Sequence, residues 1–201
     1  MRAFLRISTF AALTILAAVA CSSANPGSAQ AGGSPAAAVT PPPGSPQVRI
    51  VTTEGTIVVM LDPAHAPVTV ANFLKYVDAK FFNGGTFFRV IPGFVIQGGN
   101  QAKESSSDRP IALEDPKATG VYNVDGAIAM ARTNDPNSAT SEFFIDDGAQ
   151  TALDGQPGSA GYAAFGVVTS GMDVVRKIAR LPAQDEHLIA PIKILTIERV
   201  K

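Results

Sequence analysis

A closed antiparallel β barrel capped by helices is the fold this sequence predicts for residues 47–201. Short β-branched and aromatic runs recur at close spacing, punctuated by Gly, Pro, Asn and Asp turn signals. Only two stretches carry apolar residues at helical spacing. The segment is also of a size to fold as one domain with a substantial core.

Residues 47–52 and 56–61 alternate apolar with polar groups and are joined by Thr53-Glu54-Gly55, a hairpin signal. Pro67 suits a helix start. Val70, Phe73, Leu74 and Val77 then recur at i, i+3, i+4 and i+7, with Asn72, Lys75 and Asp78 on the other side. That stripe reads as core. Asn83-Gly84-Gly85 leads into 86–100, two apolar runs broken by the turn pair Pro92-Gly93. A polar loop at 101–109 follows. Strands are expected at 127–131, 142–145, 163–169 and 192–200. A second helix is expected at 172–180, with Met172, Val175, Ile178 and Ala179 inward and Pro182 just past its end.

The N-terminal part reads differently. Arg2 and Arg6 precede an apolar run from Phe10 to Ala20, shorter than the ~20 residues of a membrane span and suited to a secretory signal. The small-x-small pattern Ala18-Val-Ala20 stands before Cys21, the only cysteine of the chain. This is the arrangement of a bacterial lipobox, in which Cys21 is lipidated and becomes the mature first residue, although Ala18 stands where Leu is usual. An ordinary cleavage site is the alternative. Residues 22–46 are small residues, Gly and Pro without charge or aromatics, a composition expected to stay disordered. Such a tether has a random-coil span of about 25–30 Å. The organisation expected is therefore a signal peptide at 1–20, a lipidated cysteine and linker at 21–46, and one domain at 47–201.

Several function classes are disfavoured. The net charge is −1, and without a Lys/Arg run nucleic acid is not an expected partner. The two histidines, His65 and His187, lack metal-ligand spacing, and no thiol remains once Cys21 is used. No metal and no cofactor are expected. No Gly-x-Ser-x-Gly elbow marks a hydrolase nucleophile. The unusual residue is Arg89. Strand alternation over 86–91 places Phe87, Arg89 and Ile91 on one face and Phe88 and Val90 on the other. A guanidinium on such a face must be paired, solvated or in use. An edge-strand arginine whose stem covers apolar surface meets the spacing equally well.

Three blocks carry a family resemblance. Phe87-Phe-Arg-Val-Ile-Pro-Gly-Phe-Val-Ile-Gln-Gly-Gly99 resembles the signature of the cyclophilins, peptidyl-prolyl cis-trans isomerases (rotamases). Ala127-Ile-Ala-Met-Ala-Arg-Thr133 through Ser138-Ala-Thr-Ser-Glu-Phe-Phe-Ile145 resembles the second signature. Ala152-Leu-Asp-Gly155, Tyr162-Ala-Ala-Phe-Gly-Val167 and Gly171-Met-Asp-Val174 follow in the family's order. The resemblance spans roughly 47–201 and is nearest to the exported bacterial type.

It implies eight antiparallel strands with a helix at each end, and an enzyme acting on X-Pro bonds of exported or envelope proteins on the periplasmic side. It makes Arg89 the donor to the imide nitrogen, Gln97 its orienting partner, and Phe94 and Phe144 walls of the proline pocket with Val95 and Leu153. Ala131, Arg132 and Thr133 match the edge along which the peptide lies, Arg132 itself being read as a solvated charge. Phe88, where the family has His, is expected to pack beside the substrate. Glu142 replaces the usual Gln and is expected to pair with Arg89 or Arg132, or to favour basic residues flanking the proline. Tyr162 stands at the pocket His position, and Ala152 where the family has a rim Trp. The partners implied are proline-containing polypeptides and a membrane through Cys21, with the protein a monomer. The rival reading is a chaperone or surface module that grips proline segments without turnover.

Overall fold

The chain closes a barrel by bringing its last long strand back to its first. The computed structural model describes residues 41–104 and 109–201. The expected signal peptide, Cys21 and most of the linker lie outside the described residues. The linker's end does not behave as expected. Pro41 is buried, Ser45 N–H donates to the Pro42 carbonyl at 3.1 Å, and the Pro46 carbonyl accepts from Leu61 N–H at 2.9 Å. Residues 41–46 are thus held against the domain, because a proline carbonyl can still accept and a proline ring can still be buried.

β1 (Gln47–Thr52) and β2 (Gly55–Leu61) form the first hairpin, and α1 (Pro67–Asp78) follows. The hairpin of β3 (Thr86–Ile91) and β4 (Val95–Gly99) comes next, turning at Gly93, whose φ of 75° suits a residue without Cβ. A one-turn helix α2 (Pro116–Thr119) precedes β5 (Ala127–Met130), β6 (Phe143–Asp146) and β7 (Ala164–Ser170). α3 (Met172–Ala179), the two-residue β8 (Ala183–Gln184) and the 13-residue β9 (His187–Arg199) end the domain. The order around the sheet is β1-β2-β7-β5-β6-β4-β3-β9, closed by the β9–β1 pairing, with β8 added beside β9. That is an eight-stranded antiparallel barrel with one extra short strand.

Inside it, Phe73 of α1 meets Phe82, Phe143 and Phe165 at ring-centroid distances of 5.2, 5.5 and 5.1 Å, and Phe87 stands edge-on to Phe143. Each such buried ring contributes roughly 2–3 kcal/mol. Val175, Ile178 and Ala179 of α3 join the same core. α1 has no capping side chain of its own. Glu114 supplies both carboxylate oxygens instead, accepting from Val68 N–H and Thr69 N–H at 3.0 and 2.8 Å. Asn72, expected on the polar side, is buried and donates to the Thr140 carbonyl at 2.7 Å, tying the helix to the segment before β6.

Two strand expectations are corrected. The register between β3 and β4 passes from Phe87↔Gly98 to Arg89↔Gln97, so Phe88 is the extra residue of a bulge. Simple alternation therefore fails: Phe87 and Val90 are core, while Phe88, Arg89 and Ile91 are not. And β9 begins at His187 rather than near 192, its solvent-exposed Pro191 being compatible with a position that gives no ladder bond.

Candidate active site

Besides the barrel core there is a second apolar cluster, formed by Val95, Val121, Ala129, Phe144 and Ala164. Phe94, Ala131, Leu153 and Tyr162 pack against it from the solvent side. Alternation in β6 explains the split: Phe143 points into the barrel and Phe144 away from it. The cluster floors a cavity of about 170 Å³ lined by Arg89, Phe94, Val95, Gln97, Phe144 and Tyr162, with Ala131, Arg132 and Leu153.

The walls are held from several elements. Asp147 fixes Phe94: its carboxylate accepts from Gly93 N–H at 2.9 Å, and its own N–H donates to the Phe94 carbonyl at 2.8 Å. Leu153 and Tyr162 are joined by Tyr162 N–H donating to the Leu153 carbonyl at 2.8 Å. The Phe144 and Tyr162 rings meet edge-to-face at 5.7 Å.

Arg89 stands at the cavity's polar edge, its side chain 30% exposed. Its Nε and Nη2 both donate to Glu186 Oε2, at 2.8 and 2.6 Å, and Nη1 donates to Gln97 Oε1 at 3.2 Å. Gln97 Nε2 in turn donates to Glu142 Oε2 at 2.8 Å, and Gln101 Nε2 donates to Glu142 Oε1 at 3.0 Å. A guanidinium has five N–H donors, so these three bonds leave two for a ligand. Glu142 therefore pairs with neither Arg89 nor Arg132, contrary to the pairing expected from the sequence. Its oxygens face two amide donors, and the charge partner of Arg89 is Glu186. Nothing in the sequence pattern pointed to Glu186, which reaches Arg89 only because β8–β9 folds back beside β3.

Arg132 is no solvated charge either. It lies 4.3 Å over the Tyr162 ring and donates to the carbonyls of Thr133, Ala160 and Gly161 at 2.8 to 3.2 Å. It clamps the 156–161 loop onto the cavity wall. Arg132→Ala is expected to reduce stability by about 1–2 kcal/mol and to raise KM several-fold with kcat little changed. Thermal melts beside steady-state kinetics check this, and an unaltered KM would show that the loop holds its place unaided.

Thr133 and Glu142 line an adjoining cavity of about 260 Å³ that shares Gln97, Ala131 and Arg132 with the first. Thr133 N–H is already bonded to Ser138 Oγ at 2.9 Å, so strand-like pairing through that group would have to displace an existing bond. Phe88 lines neither cavity, because the bulge turns it out of the groove. Ala152 sits exposed in a turn of 3₁₀ helix at the rim.

Asp146 follows Phe144 on the same side of β6, opposite Val95. It is 0% exposed, and neither carboxylate oxygen has a hydrogen-bond partner. Burial, reinforced by the Asp154 and Asp125 carboxylates, pushes its pKa up to about 9, so it is neutral at pH 7.

An apolar cup with two free guanidinium donors at its edge suits an extended peptide carrying a compact apolar ring. The family model for the cyclophilin type peptidyl-prolyl cis-trans isomerase/CLD matches residues 47–199. The chain belongs to the cyclophilin family. Among curated relatives of this cyclophilin, peptidyl-prolyl cis-trans isomerase A of Dickeya dadantii is 39% identical over 173 residues, 84% of this chain and 88% of its own. A peptidyl-prolyl cis-trans isomerase of Acinetobacter baylyi is 41% identical over 159 residues, 75% of this chain and 84% of its own. Among solved structures, a Cryptosporidium parvum cyclophilin in the presence of the dipeptide Ala-Pro superposes with a TM-score of 0.67 at 27% identity, covering 77% of this chain and 99% of the other.

Proposed function

We propose that this cyclophilin accelerates rotation about X-Pro peptide bonds by donating from Arg89 to the imide nitrogen while the proline ring sits in the Phe94–Val95–Phe144–Leu153 cup. The observation that carries the reading is the pair of unused Arg89 N–H groups at the rim of that cup. The rotation barrier of roughly 20 kcal/mol comes from amide resonance. No nucleophile is needed to lower it. As the bond twists, the nitrogen regains its lone pair, and a fixed donor beside it stabilises the twisted state more than either planar one. Gln97 and Glu186 hold the guanidinium so that little reorganisation is needed when the substrate turns. A protease-coupled turnover assay on an Ala-Pro-Phe peptide, with wild type beside Arg89→Ala, tests the reading. Equal rates, with peptide binding retained, would favour the rival non-catalytic module.

The substrates we infer are proline-containing segments of exported or envelope proteins, met by a monomer tethered on the periplasmic side through lipidated Cys21. The Arg2/Arg6 start, the apolar run, Ala18-Val-Ala20 before the sole cysteine and the Pro/Gly/Ser tether support this. In this reading Cys21→Ser moves the protein from the membrane fraction to the soluble fraction, because stable anchoring needs its acyl chains. Unchanged membrane association of that variant would overturn the anchor.

A further inference from the structure

We propose that Glu186 is a positioning residue for the isomerase reaction, its carboxylate holding the Arg89 guanidinium by one edge so that the opposite edge faces the proline cup. This rests on the reading of Arg89 as the donor to the imide nitrogen.

Two independent features of Glu186 carry the inference. The first is the bonding. Glu186 Oε2 takes both Nε–H and one Nη2–H, the side-on edge of the planar fork, so the guanidinium cannot rotate about its long axis without losing both bonds. The second Glu186 attachment is through its backbone, whose carbonyl accepts from Val90 N–H at 2.8 Å, next to Arg89 in β3. Carboxylate and guanidinium are thus carried on main chains that are bonded to each other.

The second feature is the conformation. Asp185 and Glu186 form the two-residue loop between Gln184 and His187, with φ of 49° and 67°. A hairpin loop with both φ positive favours Asn-Gly or Asp-Gly, and a long side chain at its second position is disfavoured there. Glycine is what the turn geometry asks for at 186, yet the chain places there the carboxylate that, among the described residues, reaches Arg89. A strained residue whose side chain has a single partner at the catalytic cup points to use rather than to folding.

The two demands make opposite predictions, and that supplies the test. Glu186→Gly relieves the backbone and removes the carboxylate. Glu186→Gln keeps the backbone as it is and removes the charge. Turnover of an Ala-Pro peptide is followed by exchange NMR, which also registers weak residual activity, and Tm is measured in parallel. The expected result for Glu186→Gly is kcat lowered about tenfold, KM within about twofold of wild type, and Tm equal or higher. Glu186→Gln is expected to show a smaller kcat loss. Added to Arg89→Ala, Glu186→Gly is expected to change residual turnover by less than about twofold, because a residue acting through Arg89 has nothing to act on once Arg89 is gone.

A wild-type or higher kcat in Glu186→Gly overturns the proposal. So does an equal loss with and without Arg89, and so does a kcat loss that only accompanies a falling Tm. If Arg89→Ala is crippled while Glu186→Gly is not, this inference alone fails. If Arg89→Ala keeps full turnover, the donor reading fails with it.

Discussion

Arg89→Ala is expected to lower kcat about 100- to 1,000-fold while shifting Tm by no more than about 2 °C. The size follows from what is removed: a charged donor preorganised at the edge of a partly dry cup, comparable to a fixed oxyanion-hole donor worth about 3–4 kcal/mol in the transition state. The small effect on folding follows from exposure. Arg89 and Glu186 side chains are 30% and 50% exposed, so their ion pair is screened by water and adds little to stability. Arg89→Lys keeps the charge but cannot bond Glu186 edge-on and Gln97 at once, and should recover only a small part of the loss. Arg89→Ala with at least half of wild-type kcat would refute the donor role outright.

The second large effect concerns stability, and it depends on pH. Asp146 has its folded pKa raised to about 9 from the ordinary aspartate value of 3.8. An acid that holds its proton in the fold but loses it on unfolding contributes its full stability below about pH 4. That contribution drains away as the pH climbs toward 9, since the unfolded chain can ionise and the folded one resists. At neutral pH the loss amounts to roughly 2–4 kcal/mol. Asp146→Asn has nearly the same shape and no proton to lose. It should melt about 5–10 °C above wild type at pH 8 and close to wild type at pH 4. Melting curves of the two proteins from pH 4 to 9 check this. A constant gap across that range, or a less stable variant at pH 8, would mean that the carboxylate is ionised in the fold and satisfied in some other way. Because Asp146 lies beside Phe144 and across from Val95 on the cup side of the sheet, the variant also reports whether a stiffer floor alters turnover.

Much of this was readable from residue order alone. The hairpin 47–61, the helix stripe Val70-Phe73-Leu74-Val77 and the turn at Pro92-Gly93 each follow from local periodicity and turn chemistry, and the structure has them. Nine of the proposed site residues line one cavity: Arg89, Phe94, Val95, Gln97, Ala131, Arg132, Phe144, Leu153 and Tyr162. Their grouping was legible because three signature blocks occur in one order. Strand alternation puts Phe88 on the wrong face because a bulge is one inserted residue in a ladder, which alternation has no means to register. The anchoring of Arg132 is not legible locally, because its carbonyl partners, Ala160 and Gly161, lie 28 and 29 residues away in a loop whose path no local pattern predicts.

By itself, then, the sequence determined the elements, since periodicity and turn residues are properties of neighbours along the chain, and its three signature blocks marked the family. Only the tertiary structure decided who holds whom. It gave Arg89 to Glu186, 97 residues away, rather than to Glu142. It also left the buried Asp146 carboxyl, across from Val95, without a hydrogen-bond partner. Hydrogen-bond partnership and dielectric surroundings depend on distances of a few ångströms between segments remote in the chain, and barrel closure sets those distances.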